Sequence, residues 1–145
     1  MGAIARANLK AFGLDIQGTA YFDPELMRLS AFYDAAPDKR VYFVAVDETG
    51  AVLGGGGLAE FDLLDNTAEL QKLYLSDAAK GHGLGTRLMG VLEDAARQRG
   101  YAHFYLETHS NLKAAIHLYD KLGYQRCEPA GSAHTAMDHF FIKEL

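Results

Sequence analysis

Three glycines at alternate positions, Gly81, Gly83 and Gly85 in KGHGLGTRL, separate an extended apolar run from a long helical stripe. No other feature constrains the fold as much, because the chain must end a strand, turn tightly and enter a helix within a few residues. Before the glycines, TAELQKLYL (residues 67–75) reads as a strand. After them, Leu84, Leu88, Met89, Val91, Leu92, Ala95 and Ala96 form one helical face that ends at Gly100. Backbone amides at the start of such a helix point the same way and can hold an anion, so a phosphate-sized ligand is expected there. The nucleotidase pattern GxxxxGK[ST] is absent, and a dinucleotide fingerprint beginning at Gly83 would need glycine where Leu88 stands. Taken alone, a glycine-rich turn serves equally well as a plain connection.

The rest of the chain supplies the context. Ile4, Ala5, Leu9 and Phe12 are spaced for a helix stopped by Gly13, and Asp23-Pro24-Glu25 predicts the capped start of a second. VYFVAVDETGAVLGGGGLAEF predicts a hairpin: a strand over Val41 to Val46, a turn around Asp47 to Gly50, then a second strand. The run Gly54 to Gly57 inside that second strand predicts a bulge or a close approach of another backbone. YAHFYLET reads as a buried strand, LKAAIHLYDKL as an amphipathic helix stopped by Gly123, and MDHFFIKEL as a closing strand. The predicted order is ααββ followed by βαβαββ, in one domain spanning residues 1–145 without repeats or linkers.

Charge and cysteine usage exclude several classes. A formal charge of −5 is the wrong sign for a protein that grips nucleic acid, and it favours a cationic partner. The single Cys127 cannot form an internal disulfide and fits a reducing compartment. No basic leader is evident and no run approaches the roughly 18 apolar residues of a membrane span, so a cytoplasmic location is expected. None of the six histidines belongs to an HExxH or CxxC pattern. His134 and His139 read as solvated loop residues, and no metal site is expected.

In this setting KGHGLG resembles the [QR]xxGx[GA] pyrophosphate signature of the GNAT N-acetyltransferase superfamily. AELQKLYL resembles the strand before that signature, and AAIHLYDKLGY resembles the later AIxLYxKxGF block. The resemblance covers about Val41 to Leu145. Three departures accompany it: Lys80 stands where Arg or Gln is usual, Asn111 lies one place before the family's Asn, and the usual first strand is missing. The fold it implies is mixed α/β, a central, mostly antiparallel sheet with a parallel pair flanking the cofactor cleft and helices on both faces.

What the resemblance implies for the site follows residue by residue. Acetyl-CoA, as acetyl donor, would lie along the strand edge at Leu73, Tyr74 and Leu75. Its pyrophosphate would rest on the loop Lys80, Gly81, His82, Gly83, Leu84, Gly85 and Thr86, with Arg87 adding charge; the basic excess of Lys72 to Tyr101 suits that purpose. Asn111 would contribute to the same site or merely cap the following helix. An alkyl ammonium must lose a proton before it can attack a thioester, and Glu69 is the expected base, with Glu60, Glu107 and His109 as alternatives. Strand parity groups Glu69 with Gln71 and Leu73. Tyr119 is expected to protonate the leaving thiolate, or else to be a core tyrosine; a backbone amide near Leu73 would meet the oxyanion.

The expected reaction is acetylation of a small-molecule or peptide amine by direct attack in a ternary complex. A CoA-binding module without turnover is the alternative. The sheet edge left by the missing strand predicts a homodimer.

Overall fold

Residues 1–145 are described by a computed structural model. Its hairpin forms where turn chemistry demands it. Asp47 Oδ1 accepts hydrogen bonds from the amides of Thr49 and Ala51 at 2.8 and 3.0 Å, and Gly50 takes φ +84. This turn joins β1 (Val41–Val46) to β2 (Val52–Glu60), and β3 (Thr67–Leu75) returns antiparallel along β2. Helix α3 (Leu84–Gln98) then crosses to β4 (His103–Thr108), and α4 (Lys113–Lys121) leads to β5 (Gln125–Arg126) and β6 (His139–Glu144). Cys127 falls just past β5 instead of within a strand.

The six strands lie in the order β1-β2-β3-β4-β6-β5. Every neighbouring pair is antiparallel except β3 and β4. Leu58, Ala68, Leu70, Phe104 and Leu106 point to one face and pack with Met89, Leu92 and Ala96 of α3. The opposite face carries α1 (Gly2–Ala11) and α2 (Leu29–Asp34), whose Leu9 and Tyr33 are buried. The order of elements is the predicted one, with α1 preceding any strand. No helix is long and apolar enough to cross a membrane.

Two local expectations need correction. Asp23-Pro24-Glu25 does not start a helix: α2 begins at Leu29, and Asp23 and Glu25 instead pair with the buried ammonium of Lys72 at 2.9 and 3.3 Å. Desolvating that ammonium demands counter-charges, and this need overrides local capping. Strand parity also fails within β3. Gly55 faces Tyr74 while Gly57 faces Gln71, so Gly56 alone opposes Lys72 and Leu73. Lys72 is the inserted residue, at φ +53, and its carbonyl accepts from the Tyr42 hydroxyl at 2.8 Å. Glu69 and Gln71 therefore face α1 and α2, whereas Leu73 joins the α3 core. The glycine run opposite serves both expected purposes: beyond the bulge, a Cβ on Gly55 would lie 2.6 Å from the Phe43 carbonyl oxygen.

Candidate active site

Strands β3 and β4 pair only where Thr67–Glu69 meets His103–Tyr105. Further on, β3 follows β2 to Leu75 while β4 follows β6 to Thr108, and a slit opens between them. The Ser76 amide bonds back to Leu53 at 2.8 Å, so backbone alternation turns the polar groups of Leu73 and Leu75 into the slit. Leu75 O accepts from Asn8 Nδ2 of α1 at 2.9 Å on that side. Tyr74 directs its backbone to β2 and contributes its side chain to the slit walls. A cavity of about 160 Å³ runs from Gly85 past Leu118, and another of about 90 Å³ reaches Glu69. Leu73, Tyr74, Leu112 and Ala115 wall both cavities.

At one end of the slit lies the glycine loop. Gly81 and Gly83 hold φ +79 and +76, conformations that glycine adopts without Cβ strain. The first helical bond of α3 is Arg87 N to Gly83 O, so the amides of Leu84, Gly85 and Thr86 have no acceptor in the helix, and no side chain caps them. Gly81, His82, Gly83 and Thr86 are exposed, whereas Gly85 packs toward Leu118. Lys80 Nζ pairs with Asp77 at 2.7 Å and lies over the Phe12 ring. Arg87 is exposed on the first turn. Lys72 faces Asp23 and Glu25 instead, so the local positive charge rests on Lys80 and Arg87. Asn111 does not cap α4, whose N-cap is Leu112; its side chain donates to the Phe12 carbonyl at 2.9 Å and ties α1 to the rim.

At the other end titratable groups converge. Glu69, 8% exposed, accepts from Gln71 Nε2 at 2.8 Å, and burial with Glu107 nearby holds its carboxyl above the usual carboxylate range. Glu107 accepts from the hydroxyls of Tyr105 and Ser132 at 2.9 and 2.6 Å. His134 is not a solvated loop residue: Nε2 lies 3.0 Å from Asp23, and a ligand atom from each of Glu69, Glu107 and His134 falls within 4.8 Å of the others. The bond to Asp23 raises the His134 pKa. Burial alone would raise Asp23, but His134 and Lys72 bring it below its ordinary value. Tyr119 projects from α4 into this cavity, its phenol pushed up by burial with no charged neighbour contributing. Glu60 is bound by Arg40 in a two-pronged pair away from the cavity, which removes it as a base.

An uncapped helix start at one end of a slit through a sheet, with buried titratable groups at the other, is a layout suited to group transfer from a phosphate-bearing donor. Known proteins agree. Residues 11–124 match the acetyltransferase (GNAT) family. The uncharacterised N-acetyltransferase YjgM of Escherichia coli (strain K12) is 36% identical over 132 residues, covering 89% of this chain and 77% of that protein. A GNAT-family acetyltransferase from Staphylococcus aureus Mu50 shares the fold with a TM-score of 0.84 at 16% identity, covering 98% of this chain and 89% of that one. PaiA N-acetyltransferase from Thermoplasma acidophilum, solved with coenzyme A, shares it with a TM-score of 0.71 at 17% identity, covering 99% and 90%. The chain belongs to the GNAT acetyltransferase family.

Proposed function

We propose that this protein transfers the acetyl group of acetyl-CoA to a primary amine, on a small molecule or a peptide, by direct attack in a ternary complex. The observation that carries this reading is the slit itself, which links the uncapped amides of α3 to Glu69 through walls shared by two cavities. The diphosphate rests on the loop from Gly81 to Thr86, with Lys80 and Arg87 nearby. Pantetheine follows the slit-facing backbone of Leu73 and Leu75, past the Tyr74 side chain. The coenzyme A complex of the Thermoplasma protein, which has the same fold, supports this choice of donor.

The acceptor enters from the face of α1 and α2. Glu69 removes a proton from the ammonium, the amine attacks the thioester carbon, and the Leu73 amide meets the oxyanion. Collapse breaks the C–S bond as Tyr119 donates its proton to the sulfur, and the surplus proton of the attacking nitrogen passes to the Tyr119 phenolate, leaving a neutral amide, a thiol and the phenol restored. A cavity of about 90 Å³ holds the volume of roughly three waters, enough for an aminomethyl end but not for a whole acceptor. Asn111 shapes the rim by holding α1 against α4.

Thiol release from acetyl-CoA over a panel of primary amines tests this reading, with Glu69→Gln as control. Amine-dependent release that Glu69→Gln lowers supports it. Tight CoA binding without release from any amine would leave only a binding module. Pairing of a second copy along the free edge of β1 is the proposed dimer, and equilibrium sedimentation showing monomers alone at micromolar concentration would refute it.

A further inference from the structure

Glu69 is buried, so a proton it takes from the acceptor needs a way out before the next turnover. His134 is the group placed to supply one. Asp23 and His134 stand 111 positions apart, yet Nε2 lies 3.0 and 3.2 Å from the two carboxylate oxygens. Asp23 is fixed a second time by Lys72 Nζ at 2.9 Å. A carboxylate only accepts, so Nε2 carries the shared proton and the neutral ring keeps its lone pair on Nδ1. Unlike Glu69, the His134 side chain is 28% exposed and reaches water. A latch between two loops would need only the bond to Asp23; it would not need a ring nitrogen within 4.8 Å of both Glu69 and Glu107.

We propose that His134, held by Asp23, is a positioning and relay residue that carries the acceptor's proton from Glu69 to solvent. The proposal rests on the acetyltransferase reading above. The steps balance without any redox change. The ammonium proton passes to the Glu69 carboxylate before the C–N bond forms. Through one intervening water the resulting carboxylic acid gives that proton to the His134 lone pair, which restores the carboxylate and leaves an imidazolium balanced by Asp23. Water then takes the proton from the imidazolium. The groups facing the ring are Asp23, Glu69, Glu107 and Lys72, three carboxylates against one ammonium, so the imidazolium is favoured over a protonated Glu69.

The test uses the full chain, acetyl-CoA and the fastest amine of the panel. His134→Gln should lower kcat about a hundredfold, the low end for loss of a proton-transfer group, with little change in KM. Free imidazole should restore part of the activity of His134→Ala. Asp23→Asn should move the acid limb of kcat to lower pH, because the carboxylate that favours the imidazolium is gone. Wild-type kcat and pH profile in His134→Gln, or a loss in His134→Ala that imidazole does not relieve while the variant stays folded, would overturn the relay. A wild-type chain that binds no acetyl-CoA in calorimetry would overturn the acetyltransferase reading instead, so the two failures are distinguishable.

Discussion

Substituting Gly83 separates what the loop needs as backbone from what it needs as a ligand site. Gly83 has φ +76 and ψ 7 at the N-cap of α3, and a Cβ built there meets nothing within 4 Å. The only conformational cost of a side chain is the left-handed backbone, about 1 kcal/mol for alanine, or about 2–4 °C in melting temperature for a domain of this size. Aspartate tolerates that region better. Its carboxylate would also accept from the uncapped amides of α3, a cap worth about 1 kcal/mol. Gly83→Asp should therefore melt no lower than Gly83→Ala without ligand.

With ligand the order reverses. The carboxylate now occupies the amides proposed to hold the diphosphate and repels its charges. One pair of like charges at about 4 Å costs about 1 kcal/mol in water and about 4 at an effective dielectric of about 20. Two diphosphate charges at this exposed loop then cost at least about 2 kcal/mol, about thirtyfold in Kd. Calorimetric titration with CoA measures this directly. Melting with CoA at a hundred times the wild-type Kd gives a second readout, where wild type gains about 2.7 kcal/mol and Gly83→Asp gains much less. Binding of CoA by Gly83→Asp within threefold of wild type would refute the loop assignment, as would an equal loss in Gly83→Ala.

Four further outcomes are expected. Tyr119→Phe should lower kcat about a hundredfold while CoA affinity and melting stay near wild type; unchanged kcat would remove Tyr119 from the mechanism. Lys72→Met strands Asp23 and Glu25 around a side chain only 3% exposed, and should cost about 3–5 kcal/mol in urea unfolding; a loss under about 1 kcal/mol would show that water screens the three groups. Gly54→Ala sets a Cβ 2.7 Å from the Tyr74 carbonyl oxygen and should cost about 1–3 kcal/mol by parting β2 from β3, whereas wild-type melting would mean the strands yield freely. The Asp23–His134 pair should make stability depend on pH. The raised His134 pKa contributes fully below its unfolded value of about 6.5 and is lost as pH rises through the folded one; the lowered Asp23 pKa contributes above its unfolded value of about 4 and is lost as pH falls through the folded one. The melting difference between wild type and His134→Gln should thus be widest between about pH 4 and 6.5, and a difference constant from pH 3 to 9 would contradict it.

The element order and the glycine loop were readable from the chain because their signals are local. Asp47 and Gly50 specify a turn within four residues, and the apolar stripe from Leu88 to Ala96 specifies one buried helix face. Glu69, Tyr119 and the loop glycines became candidates through their place in those local blocks. What escaped depends on partners far along the chain. Asp23 fits a cap by its neighbours and only its approach to Lys72, 49 positions on, shows otherwise. His134 resembles any loop histidine until Asp23 and Glu107 surround it. The same holds for Asn111, whose partner Phe12 lies 99 positions earlier. The extra residue in β3 leaves no compositional trace, because periodicity cannot show where a strand skips a beat.

That skipped beat divides one strand into two independent tools. Ahead of Lys72, substitutions at Gln71 reshape the chamber under α1 and α2 without touching the α3 core. Beyond it, Leu73 packs toward α3 and walls both cavities. Under the proposed function, a change of acceptor can therefore evolve, or be engineered, while the donor's berth stays intact, and deleting Lys72 would weld the two halves back into a single alternating rod.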